Sequence, residues 1–186
     1  MSGLARGFFM EKGLRRFQRS FVTKVTNATG VVYETGVGTY DFSTGAVQFG
    51  IENSGGIDLQ EDGYVAFNTS VIPASATITF AAFTWRTTTT IETGTIPIKE
   101  VDLAMSPSLG ALGTSDWRAG TVISANVTQA ATTSYSYTLT SGQYALIATG
   151  AGAQTSVIFQ NGASTSGVAG DTFYQNISNA GILHHG

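Results

Sequence analysis

Acidic side chains offer this sequence its first possible chemistry, a calcium site. Asp58, Glu61 and Asp62 lie in one glycine-ended stretch, and carboxylate oxygens are the hard ligands that Ca²⁺ prefers. Their spacing does not match an EF-hand loop, and acids in turns are usually solvated. We therefore keep these three residues as a weak calcium candidate and expect neither a metal nor a cofactor.

A second possible use of acidic residues is glycoside hydrolysis, which requires two carboxylates held about 5 to 9 Å apart. The candidates are Glu61 with Asp62, Glu100 with Asp102, and Asp116. Sequence alone does not give their separations, so a carboxylate-based glycosidase is the weaker alternative.

Nucleophilic and zinc chemistry lack suitable residues. The chain has no cysteine, and its two histidines are adjacent, at His184 and His185. A Ser-His or Cys-His pair needs an imidazole in the fold, and zinc needs spaced histidines or cysteines. We therefore expect a protein that is not an enzyme.

Aromatic residues suggest contact with a ligand, such as a glycan on a host surface. Trp117 has a charged residue on either side, which is typical of a surface position, and Tyr135 and Tyr137, on a later predicted strand, are further candidates. Trp85 instead continues an apolar alternation, so we expect it in the core.

Residues 1–24 combine helical periodicity with positive charge. The apolar residues of one face are Met10, Leu14, Phe17 and Phe21, and the basic residues are Arg6, Lys12, Arg15, Arg16, Arg19 and Lys24. The pattern predicts a short basic amphipathic helix. It either covers an edge of the chain's own sheet or docks in a groove of a neighbouring subunit. Nucleic acid and anionic lipid attract the same charges, but we expect neither as the partner.

Charge is distributed unequally along the chain. Residues 1–24 contain six Lys or Arg against one Glu, whereas residues 25–186 contain three against eleven acids. The two segments therefore carry net charges of +5 and −8. We treat 1–24 as an N-terminal arm and 25–186 as one domain.

The elements of the domain read as short strands separated by turns, which is typical of an antiparallel β-sandwich. With only 11% charged residues, 23 Gly and 3 Pro, the composition fits this class. The predicted features are a strand at 31–33, a hairpin joining 40–42 to 47–51, turns at 53–56 and 61–63, an extended corner at Ile72-Pro73, and a strand over 76–85 with a bulge near Thr79 or Phe80.

Residues 65–78, VAFNTSVIPASATI, carry a resemblance to a known family. They resemble the segment "hydrophobic-x-Phe-Asp-Thr-Ser-x-Ile/Leu-Pro-x-x-Ala-x-Ile" of DNRLRE-type β-sandwich domains, and residues 115–117 are similar to a short Trp-containing segment of the same domains. Asn68 stands where Asp is usual, and the terminal motif that names the family is absent. The resemblance implies a jelly-roll-like fold, as found in structural proteins of tailed phages and in bacterial surface proteins.

These observations together favour a structural role. The N-terminus lacks the apolar core of a signal peptide, and no run of eighteen apolar residues predicts a membrane span. We expect a virion protein of a tailed phage, assembled in the host cytoplasm as a capsid decoration, minor capsid or tail component. It would dock on other virion proteins through its arm and pack as a homo-oligomer. The alternative is a receptor- or glycan-binding head or tail-fibre module.

Overall fold

The computed structural model describes residues 19–21, 28–93, 100–107, 109–130, 132–162 and 172–185. These residues form β1 (Arg19–Phe21), β2 (Gly30–Gly36), β3 (Thr39–Thr44), β4 (Val47–Ser54), β5 (Ile57–Asn68), β6 (Ala81–Thr93), β7 (Glu100–Ser106), β8 (Thr121–Thr128), β9 (Ser134–Thr138), β10 (Gln154–Asn161) and β11 (Thr172–His185). Short 3₁₀ helices lie at Thr114–Asp116 and Ser141–Leu146. No helix in these ranges is long and apolar enough to cross a membrane.

The strands form one antiparallel ladder in the order β8-β7-β10-β5-β4-β11-β6-β9, with β2 and then β3 on the other edge of β5. Strand β5 belongs to two layers. Its first part, 57–61, pairs with β4, and its last part, 63–68, pairs with β10. The ladder thus folds over itself at β5, which confirms the predicted all-β sandwich.

Aromatic rings fill the space between the two layers. Phe159 of β10 lies 5.8 Å from Phe49 of β4, 5.8 Å from Phe83 of β6 and 5.6 Å from Trp85, measured between ring centroids. Neither β4 nor β6 is hydrogen-bonded to β10, so these contacts cross the core. Trp85 is only 3% exposed, and its predicted core position is confirmed.

Side chains bridge the two ends of the ladder. The Tyr137 hydroxyl of β9 donates to the carbonyl of Ile123 on β8 at 2.7 Å, and the Gln143 amide donates to the same carbonyl at 3.0 Å. Strands β8 and β9 do not pair through their backbones.

The turn predicted at 61–63 is wrong, because these residues lie inside β5. At Gly63, β4 crosses over the strand: a Cβ atom there would lie 2.7 Å from the carbonyl oxygen of Gln48 and 2.9 Å from Cγ1 of Val47. Real Cβ atoms do not approach other atoms so closely. Glycine is therefore needed here for close packing of two strands rather than for a turn.

The predicted hairpin joining 40–42 to 47–51 is also wrong. Strand β3 pairs with β2, whereas β4 pairs with β5 and β11 in the other layer. The apolar residues at 47, 49 and 51 are buried as expected, but Phe42 of β3 is 42% exposed. The turn at 53–56 is confirmed, with Gly55 and Gly56 at positive φ.

The strand predicted over 76–85 begins only at Ala81, and the bulge near Thr79 is not present. Residues before it make local turns instead. The N–H of Ile72 donates to the carbonyl of Thr69, and the N–H of Ala76 donates to the carbonyl of Pro73. Local hydrogen bonds here replace ladder pairing. The corner at Ile72-Pro73 lies between these two turns, and Ile72 is buried there. The extended backbone expected at Ile72 stays a prediction.

The helix predicted over 1–24 does not include Arg19–Phe21, which form β1 and pair with residues 183–185 of β11. Pairing with the end of β11 therefore determines the structure of these three residues, although their sequence has helical periodicity. Residues 1–18 and 22–27 lie outside the described ranges.

A second apolar cluster covers the outer face of the β7-β10-β5-β2 layer. Its buried members are Val32, Tyr64, Ala104, Leu112 and Ile158, with Tyr40, Leu109, Trp117 and Ala119 packed against them. Loop residues 109–120 supply several of these side chains, so this loop acts as a cover for the outer face.

Candidate functional site

Carboxylates gather at the end of the sandwich where β5 begins. They come from four strands: Glu34 of β2, Asp41 of β3, Glu52 of β4, and Asp58 and Glu61 of β5. The hairpin turns at 37–38 and 55–56 lie at the same end, because β2 and β4 both run antiparallel to β5. We call this region, with the adjoining Asp62, the acidic end.

Most carboxylates of the acidic end accept hydrogen bonds. The Asn53 amide donates to Oδ1 of Asp58 at 2.7 Å, and the Gln48 amide donates to Oε2 of Glu61 at 2.7 Å. The backbone N–H of Gln60 donates to Oε2 of Glu34 at 3.0 Å. These bonds fix the side chains against the strands.

Asp62 lies on the opposite face of β5 from Glu61 and is fully buried. The backbone N–H of Asn161 donates to its Oδ1 at 3.1 Å, and Nε of Arg118 lies 3.7 Å from its Oδ2. Arg118 also donates to the carbonyl of Asn161 at 2.7 Å and to the side chain of Gln60. Arg118, from the covering loop, is thus the counterion of a buried carboxylate.

Burial controls the titration of this end. It raises the pKa of Asp62 to about 7, although Arg118 and the Asn161 N–H oppose the shift. Burial also raises the pKa of Glu61 to about 7. The negative charge of Glu52 raises it further, whereas the hydrogen bond from Gln48 lowers it. Burial and the carboxylates of Asp41 and Glu61 raise the pKa of the Tyr33 hydroxyl. The carboxylates are therefore close enough to influence one another.

Trp117 packs onto the outer-face cluster beside this end. Its ring stacks on Tyr40 at 4.9 Å and 28°, and the Arg118 guanidinium carbon lies 5.4 Å from its ring centroid. The Tyr64 hydroxyl donates to the carbonyl of Asp116. These contacts hold the covering loop against the sheet.

The structure does not bring the three predicted ligand contacts together. Trp117 belongs to the outer-face cluster, whereas Tyr135 and Tyr137 pack against the core between the layers. Tyr135 stacks on Trp85 at 5.2 Å, and its hydroxyl accepts a hydrogen bond from Ala130 at 2.6 Å. The Tyr137 hydroxyl is used in the bridge between β8 and β9.

The weak calcium candidate is likewise not assembled. Asp58, Glu61 and Asp62 each interact with a different side chain, and the described part of the chain contains no group of three acidic, His or Cys residues that could hold a metal ion. Of the other acids considered, Asp102 accepts a hydrogen bond from the N–H of Asn126 at 2.7 Å and Asp116 from that of Gly113 at 2.8 Å.

The predicted docking residues fall mostly outside the described ranges. Arg19 and Phe21 lie in β1, and the others, Arg6, Met10, Lys12, Leu14, Arg15, Arg16 and Phe17, precede it. Sequence reasoning missed the acidic end, although one signal was present: these acids lie within about six residues of two Gly-containing turns, at 36–38 and 55–56.

Comparisons of the chain with protein-family models, with curated proteins and with solved structures found no match. The resemblance of residues 65–78 to DNRLRE-type domains stays a prediction.

Proposed function

We propose that this chain is a non-enzymatic structural protein of a tailed-phage virion, a capsid decoration, minor capsid or tail component. It assembles in the host cytoplasm, docks on other virion proteins through residues 1–24 and packs as an oligomer. The observation that carries the proposal is the separation of charge between a basic N-terminal segment and a sandwich with an acidic end. Opposite charges on two parts of a subunit favour specific and oriented association.

The hydrogen bonds of the acidic residues support a structural role. Asp58, Glu61 and Asp62 are bound to side chains of the sandwich, and Asp116 accepts from the start of a 3₁₀ helix. Each of these four carboxylates thus interacts with another part of the fold. The resemblance of residues 65–78 to a domain found in phage structural proteins agrees with the proposal.

The test is the composition of purified virions from the phage or prophage whose genome carries this sequence. We expect mass spectrometry to find the full chain in the particles at a fixed stoichiometry. A matched strain carries the full chain with three substitutions, Lys12→Glu, Arg15→Glu and Arg16→Glu. We expect this variant to be folded by circular dichroism but to be present in far fewer copies per virion. A chain that is expressed but absent from purified particles contradicts the proposal.

A further inference from the structure

The two ends of the sandwich differ in charge. Strand β5 runs for 12 residues from the acidic end to the corner, which spans about 40 Å at about 3.3 Å per residue. At its far end, loops 69–80 and 139–153 meet: the N–H of Gly150 bonds the carbonyl of Ile72 at 2.7 Å, and that of Thr69 bonds Ala153 at 3.0 Å. Neither loop contains a charged residue. We call this region the uncharged end.

The N-terminal segment enters the sheet at the uncharged end. Arg19 pairs with His185, and His185 also pairs with Ala81, the first residue of β6 after the corner. From there β1 runs antiparallel to β11, whose first residue, Thr172, pairs with Glu52 at the acidic end. The basic residues of 1–18 therefore precede the point of the sheet that is most distant from the acidic end.

The acidic end also exposes apolar side chains. Val37 is 78% exposed at the turn between β2 and β3, Phe42 is 42% exposed on β3, and Ile57 is 48% exposed at the start of β5. Acids and apolar groups thus lie on the same two hairpins. Residues 1–18 have the complementary composition, with four Lys or Arg against one Glu and with Met10, Leu14 and Phe17 at helical spacing.

We infer that copies of this chain associate head to tail, with residues 1–18 of one copy bound to the acidic end of the next. The inference rests on the docking role proposed for the N-terminal segment, and it identifies the partner as a second copy. Arg19, which follows residues 1–18, lies at the uncharged end, about 40 Å along β5 from the acidic end of its own copy. A second copy can place its acidic end next to that point, and we therefore take it as the partner.

This contact is heterologous, because it joins two different surfaces of the same protein. Repetition of such a contact gives a ring if the rotation closes and an open stack if it does not. Charge pairs at the contact make the association dependent on salt, whereas the apolar groups contribute at any ionic strength.

A charge exchange between two full-length variants tests the inference. The first variant carries Lys12→Glu, Arg15→Glu and Arg16→Glu, which reverses the segment. The second carries Asp41→Lys and Glu52→Lys, which reverses two exposed residues of the acidic end. A third, with Ser134→Lys and Ser136→Lys on the exposed side of β9, adds positive charge between the two ends and serves as the control.

Sedimentation velocity at low and high salt gives the readout. We expect the wild type to associate at low salt and each reversed variant to associate at least about tenfold more weakly, with the control unchanged. An equimolar mixture of the two reversed variants should restore association, because each segment then meets an acidic end of opposite charge. A monomeric wild type, unchanged reversed variants, or a mixture that stays dissociated while both variants are folded would overturn the inference.

The inference and the proposed function fail separately. If the chain self-associates as described but is absent from purified virions, the proposed function is wrong and the head-to-tail contact remains. If the chain is present in virions and the charge-reversed variants still associate like the wild type in solution, the contact is wrong and the virion role remains.

Discussion

The acidic end and the uncharged end of the sandwich are held together by different forces. At the acidic end, carboxylates from four strands lie near the buried Asp62, and burial raises the pKa values of Glu61 and Asp62 to about 7. At the uncharged end, loops 69–80 and 139–153 meet through backbone hydrogen bonds over the buried side chain of Ile72. One end should therefore respond to pH and the other to the loss of apolar contacts.

The comparison shows how a chain with few charges uses them. Only 11% of its residues are charged, yet six acids lie on two adjacent hairpins. Concentrating like charges costs stability through repulsion and desolvation. Such a cost is typical of a surface that serves binding.

The largest effect should be a loss of stability with rising pH. Asp62 and Glu61 have folded-state pKa values of about 7, whereas an unfolded chain releases these protons near about pH 4. Between these values the folded state binds more protons, so the free energy of unfolding falls as pH rises, by at most about 1.4 kcal/mol per pH unit for each group. Urea unfolding from about pH 4 to about pH 8 measures the slope. A double variant, Glu61→Gln with Asp62→Asn, should flatten it, and an equally steep profile would show that other groups cause it.

At the uncharged end, Ile72→Ala should lower the free energy of unfolding by about 2 to 5 kcal/mol, because it removes a side chain that is 1% exposed. The loss should be the same at every pH. Val71→Ala is the matched control, since Val71 is 51% exposed and its truncation should cost less than about 0.5 kcal/mol. Equal losses for the two variants would contradict the burial argument.

Removing the counterion of the buried aspartate should have an intermediate effect. Arg118→Met should cost about 1 to 3 kcal/mol near pH 8, less than for a fully buried pair because Arg118 is partly exposed. The cost should shrink near about pH 5, where Asp62 is protonated in the folded state. Arg86→Met, at an exposed arginine of β6, is the control, with an expected change within about 0.5 kcal/mol. A cost independent of pH would mean that packing rather than charge is lost.

The smallest effect is expected from Glu52→Gln. This change removes a neighbouring negative charge and should lower the pKa of Glu61, because repulsion by Glu52 contributes to raising it. Stability near pH 8 should rise by less than about 0.5 kcal/mol. Carboxyl NMR titration of Glu61 measures the shift, and Glu100→Gln on β7 should leave it unchanged.

The sequence predicts the class of fold because apolar alternation and glycine turns are local signals. It places Trp85 in the core and the turn at Gly55-Gly56 correctly. It fails at Gly63, since a glycine needed for a strand crossing looks like a glycine needed for a turn. The sequence also predicts the wrong partner for β3, which pairs with β2 rather than with β4. Which strand β3 pairs with depends on the layer that each strand joins, and no local pattern shows this.

The candidate site was harder to predict than the fold, because it depends on contacts between distant residues. The ion pair of Asp62 with Arg118 joins positions 56 residues apart, and neither residue has a local signal for burial. The stack of Trp117 on Tyr40 likewise brings together segments that the sequence does not relate. Trp117 is partly buried on the outer-face cluster, where it helps to hold the covering loop, and its contact with a ligand stays a prediction.

The short strand β1 has a mechanical consequence. It is joined to β11 by only three residue pairs, and tension along its axis would reach it through residues 1–18, the segment that precedes it in the sequence. Tension applied to that segment would load the cross-strand hydrogen bonds of Arg19–Phe21 together, in shear, rather than opening them one at a time. Under force, β1 would therefore hold as a unit and then detach as a unit. If residues 1–18 dock as proposed, β1 sets the load that the contact could bear before the rest of the sandwich was disturbed.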